Sequence, residues 1–322
     1  PMLFSGTYSY LATVANGGKV QNSSGFDIGF YSNSNCSTGK LDWETETYTA
    51  TTGLVNYWVE VPSISDGTII YLCYGDSSIS TDQSNPTGVW DANYIGVWHL
   101  PNGTTLTALD STSNDRDGTI TSVTAIAGNV DGGAGYNANT DKITATAPTG
   151  ETFTWEGWMK DVTRTGDDFS YVSFMTYSDA SGNRSELGSL NDGLLICYVN
   201  AGVRAYVDDL NIQDIVDGNW HHITGTHSSG TVTLYVDGVS KTLSGTNTPG
   251  QFGASTLSLG NLGGLNCGIM DGGLDEVRLS NSVRSANWVT TNYNNQSAPS
   301  TFYSVGDEVT SFSAVIYGSR LY

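Results

Sequence analysis

Positive charge is scarce in this chain: Lys and Arg together number 12 against 32 Asp and Glu in 322 residues, a formal net charge of −20. So few cations cannot neutralise a run of phosphates, which argues against nucleic acid as a partner. Long apolar runs are lacking too, and without a stretch of bilayer-spanning length no membrane insertion is expected. The opening Pro1-Met2-Leu3-Phe4-Ser5 has neither the basic start nor the cleavage site of an export signal. Cysteine is limited to Cys36, Cys73, Cys197 and Cys267, none in the close pairs that zinc sites use. Two disulfides, each within one domain, would suit an oxidising compartment, and four free, partly buried thiols fit the same sequence. Sustained i, i+3, i+4, i+7 apolar spacing is also missing, which removes a helical architecture.

What is present is an all-β pattern rich in Gly, Ser, Thr, Asn and Tyr. Its clearest stretch is Asn219-Trp220-His221-His222-Ile223-Thr224-Gly225-Thr226. After Ser228-Ser229-Gly230 comes Thr231-Val232-Thr233-Leu234-Tyr235-Val236-Asp237-Gly238. Val232, Leu234 and Val236 alternate with polar residues and Tyr235, the period of a half-buried strand, and Asp237-Gly238 is a tight-turn signal. An antiparallel meander is expected here. Residues 1–90 hold about six short apolar runs punctuated by turn residues, the spacing of a β-sandwich. Asp82 to Gly88 is the one Ser/Asn/Pro-rich connector, so a domain boundary is expected near residue 90, with the domains docked rather than loosely tethered.

Four motifs of the first segment carry a resemblance: Gly25-Phe26-Asp27-Ile28-Gly29-Phe30, Leu41-Asp42-Trp43-Glu44-Thr45-Glu46-Thr47-Tyr48, Tyr57-Trp58-Val59-Glu60-Val61-Pro62 and Ile70-Tyr71-Leu72-Cys73-Tyr74-Gly75. In this order they resemble an uncharacterised β domain found ahead of LamG-like jelly rolls in bacterial and phage surface proteins. That resemblance implies that the chain begins inside this domain, after a first strand. Further on, Val97-Trp98-His99-Leu100, Leu109 to Asn114, Phe153 to Met159, the Trp220 strand, Leu234 to Gly238 and Gly273-Leu274-Asp275-Glu276-Val277-Arg278-Leu279 resemble the LamG-like branch of the concanavalin A-like lectin and glucanase superfamily. The fold so implied is an antiparallel two-sheet jelly roll over 91–308, behind a small β-sandwich at 1–90. Residues 309–322 read as an apolar tail or docking strand.

Glucanases share the fold, so hydrolysis has to be weighed. Retaining chemistry needs two carboxylates about 5 to 5.5 Å apart on one cleft. Glu44 and Glu46 have i, i+2 spacing but lie in the first domain, where exposed acidic strand residues are the plain reading. Glu156 stands alone between Trp155 and Trp158, and the glucanase signature is absent. His221 and His222, adjacent in a strand, point to opposite faces and cannot chelate one ion together. His99 and His227 read as parts of no triad.

For calcium, Asp110-Ser111-Thr112-Ser113-Asn114-Asp115-Arg116-Asp117-Gly118 offers oxygen ligands on a tight loop. The resemblance implies a structural Ca2+ held by Asp110 and Asp275, with Asn114 as a third ligand; an Asx-turn at Asp110 and a rim carboxylate at Asp275 are the alternative. For carbohydrate, the loop aromatics and polar residues Tyr177, Arg184, Arg204, Tyr206 and Asn266 are the candidate contacts, while Trp98, Trp155, Trp158 and Trp220 are assigned to the core. The implied protein is a non-enzymatic, lectin-like adhesion module exposed outside the cell, on a cell surface or on a virion, with a glycan or cell-surface polysaccharide as partner. The alternative is a structural or decoration subunit of a phage particle, fibre or cell-surface assembly, whose tail docks on other subunits; a glycoside hydrolase stands behind both.

Overall fold

The computed structural model describes residues 1–101, 105–138, 140–150, 152–161, 171–178, 184–190, 193–200, 203–209, 215, 217–229, 231–241, 256–260, 270–308 and 313–318. Strand makes up 44% and helix 11%, so the protein is all-β. It divides into two compact units: Pro1–Asp91 together with Asn294–Tyr322, and Ala92–Tyr293.

In the first unit, Met2–Thr7, Leu54–Val59 and Trp43–Thr49 form one antiparallel sheet, in the order Met2–Thr7, Leu54–Val59, Trp43–Thr49. Gly29–Tyr31, Ile69–Cys73, Ser313–Gly318 and Tyr303–Val305 form the other. Phe4, Phe30, Val55, Tyr57 and Leu72 fill the core and are all but inaccessible to water. The Phe30 ring meets Phe4, Trp43 and Tyr57 edge-on at 5.6, 6.0 and 5.4 Å. Each such buried side chain contributes about 1.5–3 kcal/mol of transfer free energy. Cys36 and Cys73 form a disulfide, joining the loop after Tyr31 to the strand Ile69–Cys73.

Part of the tail is a docking strand, one of the two alternatives the sequence offered. Ser313–Gly318 is an inner strand of the first unit, paired with Ile69–Cys73 on one side and Tyr303–Val305 on the other. A strand with one open edge is a template for a further strand, and the β-prone run Ala314-Val315-Ile316-Tyr317 takes that place within its own chain.

The second unit holds two antiparallel sheets. One runs in the order Val203–Asp209, Gly193–Asn200, Arg184–Leu190, Tyr171–Ser178, Thr256–Gly260, Lys142–Thr146, Thr119–Thr121. The other runs Val239–Ser240, Thr231–Val236, Trp220–Ser228, Phe153–Asp161, Gly272–Ser280, Gly132–Tyr136, Thr124–Ala127, with Tyr94–Trp98 also paired to Gly272–Ser280. This is the expected two-sheet jelly roll. Trp98, Trp155, Phe174, Met175, Ile223, Leu234, Leu257, Leu259, Leu274 and Val277 pack its interior. Trp158 lies outside that interior, against His222 and Tyr293. Trp158 is nonetheless buried, as the core assignment expects, whereas Trp220 is half-buried, sits over Gly133 and Gly273 and departs from it.

The Asp237-Gly238 turn follows Thr231–Val236 with φ of 51° and 74°, the positive pair that a two-residue hairpin turn demands. A helix, Ala286–Ser297, follows the last jelly-roll strand. Thr290 Oγ1 on it donates to the carbonyl of Gly238 at 2.8 Å, tying helix to turn.

Candidate functional site

The strand Gly272–Ser280 concentrates the unusual chemistry. It is central in its sheet and almost wholly buried, yet carries Asp275, Glu276 and Arg278, each at most 1% exposed. Pairing with Phe153–Asp161 is interrupted by a bulge opposite Gly157, where Glu276 adopts φ of 51°. Bulges of this kind re-aim side chains. Leu274, Val277 and Leu279 reach the core, while Glu276 and Arg278 meet each other. Arg278 Nη2 donates to Glu276 Oε2 at 2.6 Å and Nη1 to Asn292 Oδ1 at 3.3 Å. Asn292 Nδ2 then donates to Glu156 Oε2 at 3.1 Å, and His99 Nδ1 lies 2.8 Å from Glu276 Oε1.

Burial pushes the Glu156 carboxyl up to about 7, against the pull of Arg278, Arg284 and Asn292. Burial acts the same way on Glu276, but His99 and Arg278 outweigh it and hold that carboxyl below its usual value. Glu156 is not the solitary residue its sequence context implied. Its partners lie 122 and 136 positions away in the chain, at Arg278 and Asn292, which is why no local motif announces them. Both carboxylates are closed to solvent, and their geometry is that of a structural network rather than a hydrolytic pair open to substrate.

Glu44 and Glu46 are half-buried rather than exposed, and accept the indole N–H of Trp90 and of Trp58, both at 2.9 Å. They hold two tryptophans in place.

Of the expected calcium ligands, Asp110 is saturated by protein donors: Oδ1 accepts from the amides of Val97 and Thr112, and Oδ2 from Thr112 Oγ1 and the Arg116 amide, at 2.9–3.0 Å. This is the Asx-type loop closure. Asn114 donates its amide to Tyr94 O and Thr112 Oγ1. Asp275 is no rim residue: it is fully buried, and Oδ2 accepts from the amides of Asn129 and Val130 at 2.7 and 2.9 Å. Burial and the adjacent Glu276 push its carboxyl well above the usual range. Among the described residues, neither aspartate belongs to a group of three His, Cys, Asp or Glu close enough to share an ion. Protein donors thus engage both carboxylate oxygens of Asp110 and Oδ2 of Asp275.

The carbohydrate candidates separate. Tyr177 is 2% exposed, its ring edge-on to Trp155 at 5.0 Å; it fills the sandwich and is not a loop platform. Arg184, Arg204 and Tyr206 lie in strands rather than loops. The register sets Arg184, Val199 and Arg204 in one row across three strands, and Tyr206 in the row of Cys197 and Glu186. Asn266 and Cys267 lie outside the described residues.

The adjacent histidines separate as strand geometry requires. His222 is buried beside Trp158 and Tyr293, and burial followed by the charge of Arg278 lowers it to about 3. His221 is half-exposed, with Nδ1 2.8 Å from Asp237 Oδ2 and Nε2 3.2 Å from Asp217 Oδ1. The Asp237 hydrogen bond, opposed by burial and aided by Asp217, raises it. A base raised in the folded state contributes stability that is complete below its unfolded value near 6.5 and lost as pH rises through the folded value. His221→Ala is accordingly expected to lower Tm more at pH 5.5 than at pH 9. Thermal melts of both proteins at the two pH values check this, and an equal loss at both would show that the two carboxylates do not hold the charged ring.

The fold and these side chains define a lectin-type module with a sealed polar network. The model of the Laminin_G_3 family, concanavalin A-like lectin/glucanases superfamily, matches residues 131–290. That is just under half of the chain and lies within the second unit. Residues 131–290 of the second unit are thus similar to the concanavalin A-like lectin/glucanases superfamily. No curated protein matches the sequence. Among solved structures, domain 4 of AbnA, a GH43 extracellular arabinanase from Geobacillus stearothermophilus in complex with arabinotriose, is 19% identical. The match covers 62% of this chain and 97% of that one, with a TM-score of 0.50. The binding domain of Paraclostridial Mosquitocidal Protein 1 is 15% identical, with 63% and 52% covered and a TM-score of 0.50. That of botulinum neurotoxin serotype G is 15% identical, with 67% and 55% covered and a TM-score of 0.51. The match thus spans about half of each toxin domain. Likeness at these identities carries the fold alone.

Proposed function

We propose that this protein is a non-catalytic, lectin-like carbohydrate-binding or adhesion protein acting outside the cell, on a cell or virion surface, with a glycan or surface polysaccharide as its partner. The observation that carries this reading is the complete two-sheet jelly roll of the second unit, in a lectin/glucanase-type domain. The arabinanase domain of the same fold, solved with arabinotriose, makes a short neutral oligosaccharide of that kind the first ligand to try. The sealed state of Glu156 and Glu276 supports a binding rather than a hydrolytic role. Arg184 and Arg204 in one row, and Tyr206 two rows along on contiguous strands, are the residues to vary first. The subunit reading drew in part on the apolar tail; Ser313–Gly318 of that tail pairs with Ile69–Cys73 of its own chain, while Phe312, Leu321 and Tyr322 lie outside the described residues.

A glycan array probed with the full chain is expected to return a family of related saccharides, with signal reduced about tenfold or more in Arg204→Ala/Tyr206→Ala. Absence of binding to every saccharide class by the folded chain would end this reading.

A further inference from the structure

The first unit contains a cleft of about 410 Å³, of small-ligand size, to which no role has so far been attached. Phe26, Ile28, Tyr31 and Trp43 supply its apolar surface, and Asn35, Asp76, Ser77 and Gln83 supply polar groups. A smaller hollow of about 170 Å³ shares Phe26, Ile28 and Trp43 and extends it towards Thr45 and Asp82.

Gly29 forms part of the cleft wall. Gly29 begins the strand Gly29–Tyr31 and pairs with Cys73. A Cβ built there would stand 3.2 Å from both the Trp43 six-membered ring and the Tyr31 ring. Its backbone is ordinary, without positive φ, so no turn requires a glycine. A glycine within a strand weakens it and marks a place where something approaches the backbone closely. Here the Tyr31 and Trp43 rings close on the glycine backbone, and any side chain at this position would have to move them. The walls are set in advance: the Cys36–Cys73 disulfide lines the cleft, and Asp27 fixes its far side by accepting from the amides of Gln21, Asn22 and Gly75. A preformed site avoids the ordering cost of binding.

The lining also limits the ligand. Asp27 and Asp76 disfavour an anion. A cation would compete with Lys40, whose Nζ already stands 4.7 Å from the Trp43 ring centroid and donates to Gln83 O at 2.7 Å. A purely apolar ligand would strip water from Asn35, Asp76 and Gln83 without replacing it. A neutral ring carrying hydroxyls satisfies both parts, with its apolar face against Tyr31 and Trp43 and its hydroxyls on the polar rim. Asp76 has an acceptor for them, because its own turn engages only Oδ1, through Ser78.

We propose that this cleft is a second saccharide-binding site, one neutral sugar ring deep, built by the first unit and independent of the jelly roll. The test uses the full chain and ligand-observed NMR with glucose, galactose, N-acetylglucosamine, cellobiose and lactose, and choline as the cationic control. At least one sugar is expected to bind. Gly29→Val, whose side chain would have to displace the two rings, is expected to weaken it about tenfold or more, with both proteins read in the Arg204→Ala/Tyr206→Ala background so that the jelly-roll strands do not contribute. Thermal melts establish that each variant is folded; if Gly29→Val is not, Tyr31→Ala, at the half-buried rim, is read in its place with the same expectation. The inference is overturned if none of the sugars binds, if choline binds and the sugars do not, or if sugar binding survives both cleft variants. In the last case the jelly-roll reading stands and only the cleft is lost.

Discussion

Replacing Arg278 by Met is expected to destabilise the protein by about 3–5 kcal/mol, the usual cost of removing one partner from a buried ion pair. Glu276 would lose a charged donor at 2.6 Å, and Glu156 the guanidinium 3.8 Å from its Oε1. Both carboxylates are fully buried, so water cannot replace what is removed. The loss should depend on pH. Glu156 titrates near 7 in the folded protein against an ordinary value of 4.5. Between those limits the folded state holds a proton that the unfolded state has released, so stability falls as pH rises across the window. Without Arg278 that carboxyl rises further and Glu276 keeps only His99 to hold it down. The deficit should therefore be larger at pH 8 than at pH 5. Urea denaturation of both proteins at the two pH values measures it, and a loss below about 1 kcal/mol at pH 8 would mean that the network relaxes around the gap.

Removing the disulfide is the second large effect. Cys36 and Cys73 are 37 positions apart, and closing a loop of that length lowers the entropy of the unfolded chain by an amount worth about 4 kcal/mol. A Cys36→Ser/Cys73→Ser double variant should lose stability of that order in the first unit. The jelly roll should melt as before, because every residue tied by the bond lies in Pro1–Asp91. Differential scanning calorimetry separates the two transitions, and a second-unit transition that moves as far as the first would contradict the assignment.

The parts of the fold that sequence made legible are those governed by neighbours in the chain. The Thr231–Val236 alternation and the Asp237-Gly238 turn are local patterns, and both appear as read. Opposite orientation of His221 and His222 follows from strand geometry and holds. The helix Ala286–Ser297 was not foreseen: Thr, Asn and Tyr dominate it, all weak helix formers. Tertiary contacts override that preference, with Thr290 bonded to Gly238, Asn292 in the ion network, and Asn295 bonded to both the amide and the carbonyl of Leu3. Tyr177 was misplaced for a related reason. The segment up to Arg184 reads as loop, but Tyr171–Ser178 is a strand, and its alternation sends Met175 and Tyr177 inward. A signal for the buried network was in fact available. Asp275, Glu276 and Arg278 interrupt an otherwise apolar strand, and charges at a central position require partners from elsewhere.

The placement of Ser313–Gly318 bears on how the protein is made. A ribosome delivers Gly29–Tyr31 and Ile69–Cys73 early, but the strand that lies beside Ile69–Cys73 emerges only after the whole of Ala92–Tyr293 has been synthesised. Of the two units, the one begun earlier is therefore finished later, after the described strands of the jelly roll have all been delivered. Until then Ile69–Cys73 keeps an unpaired edge, and in that interval it is open to pairing with a neighbouring nascent chain.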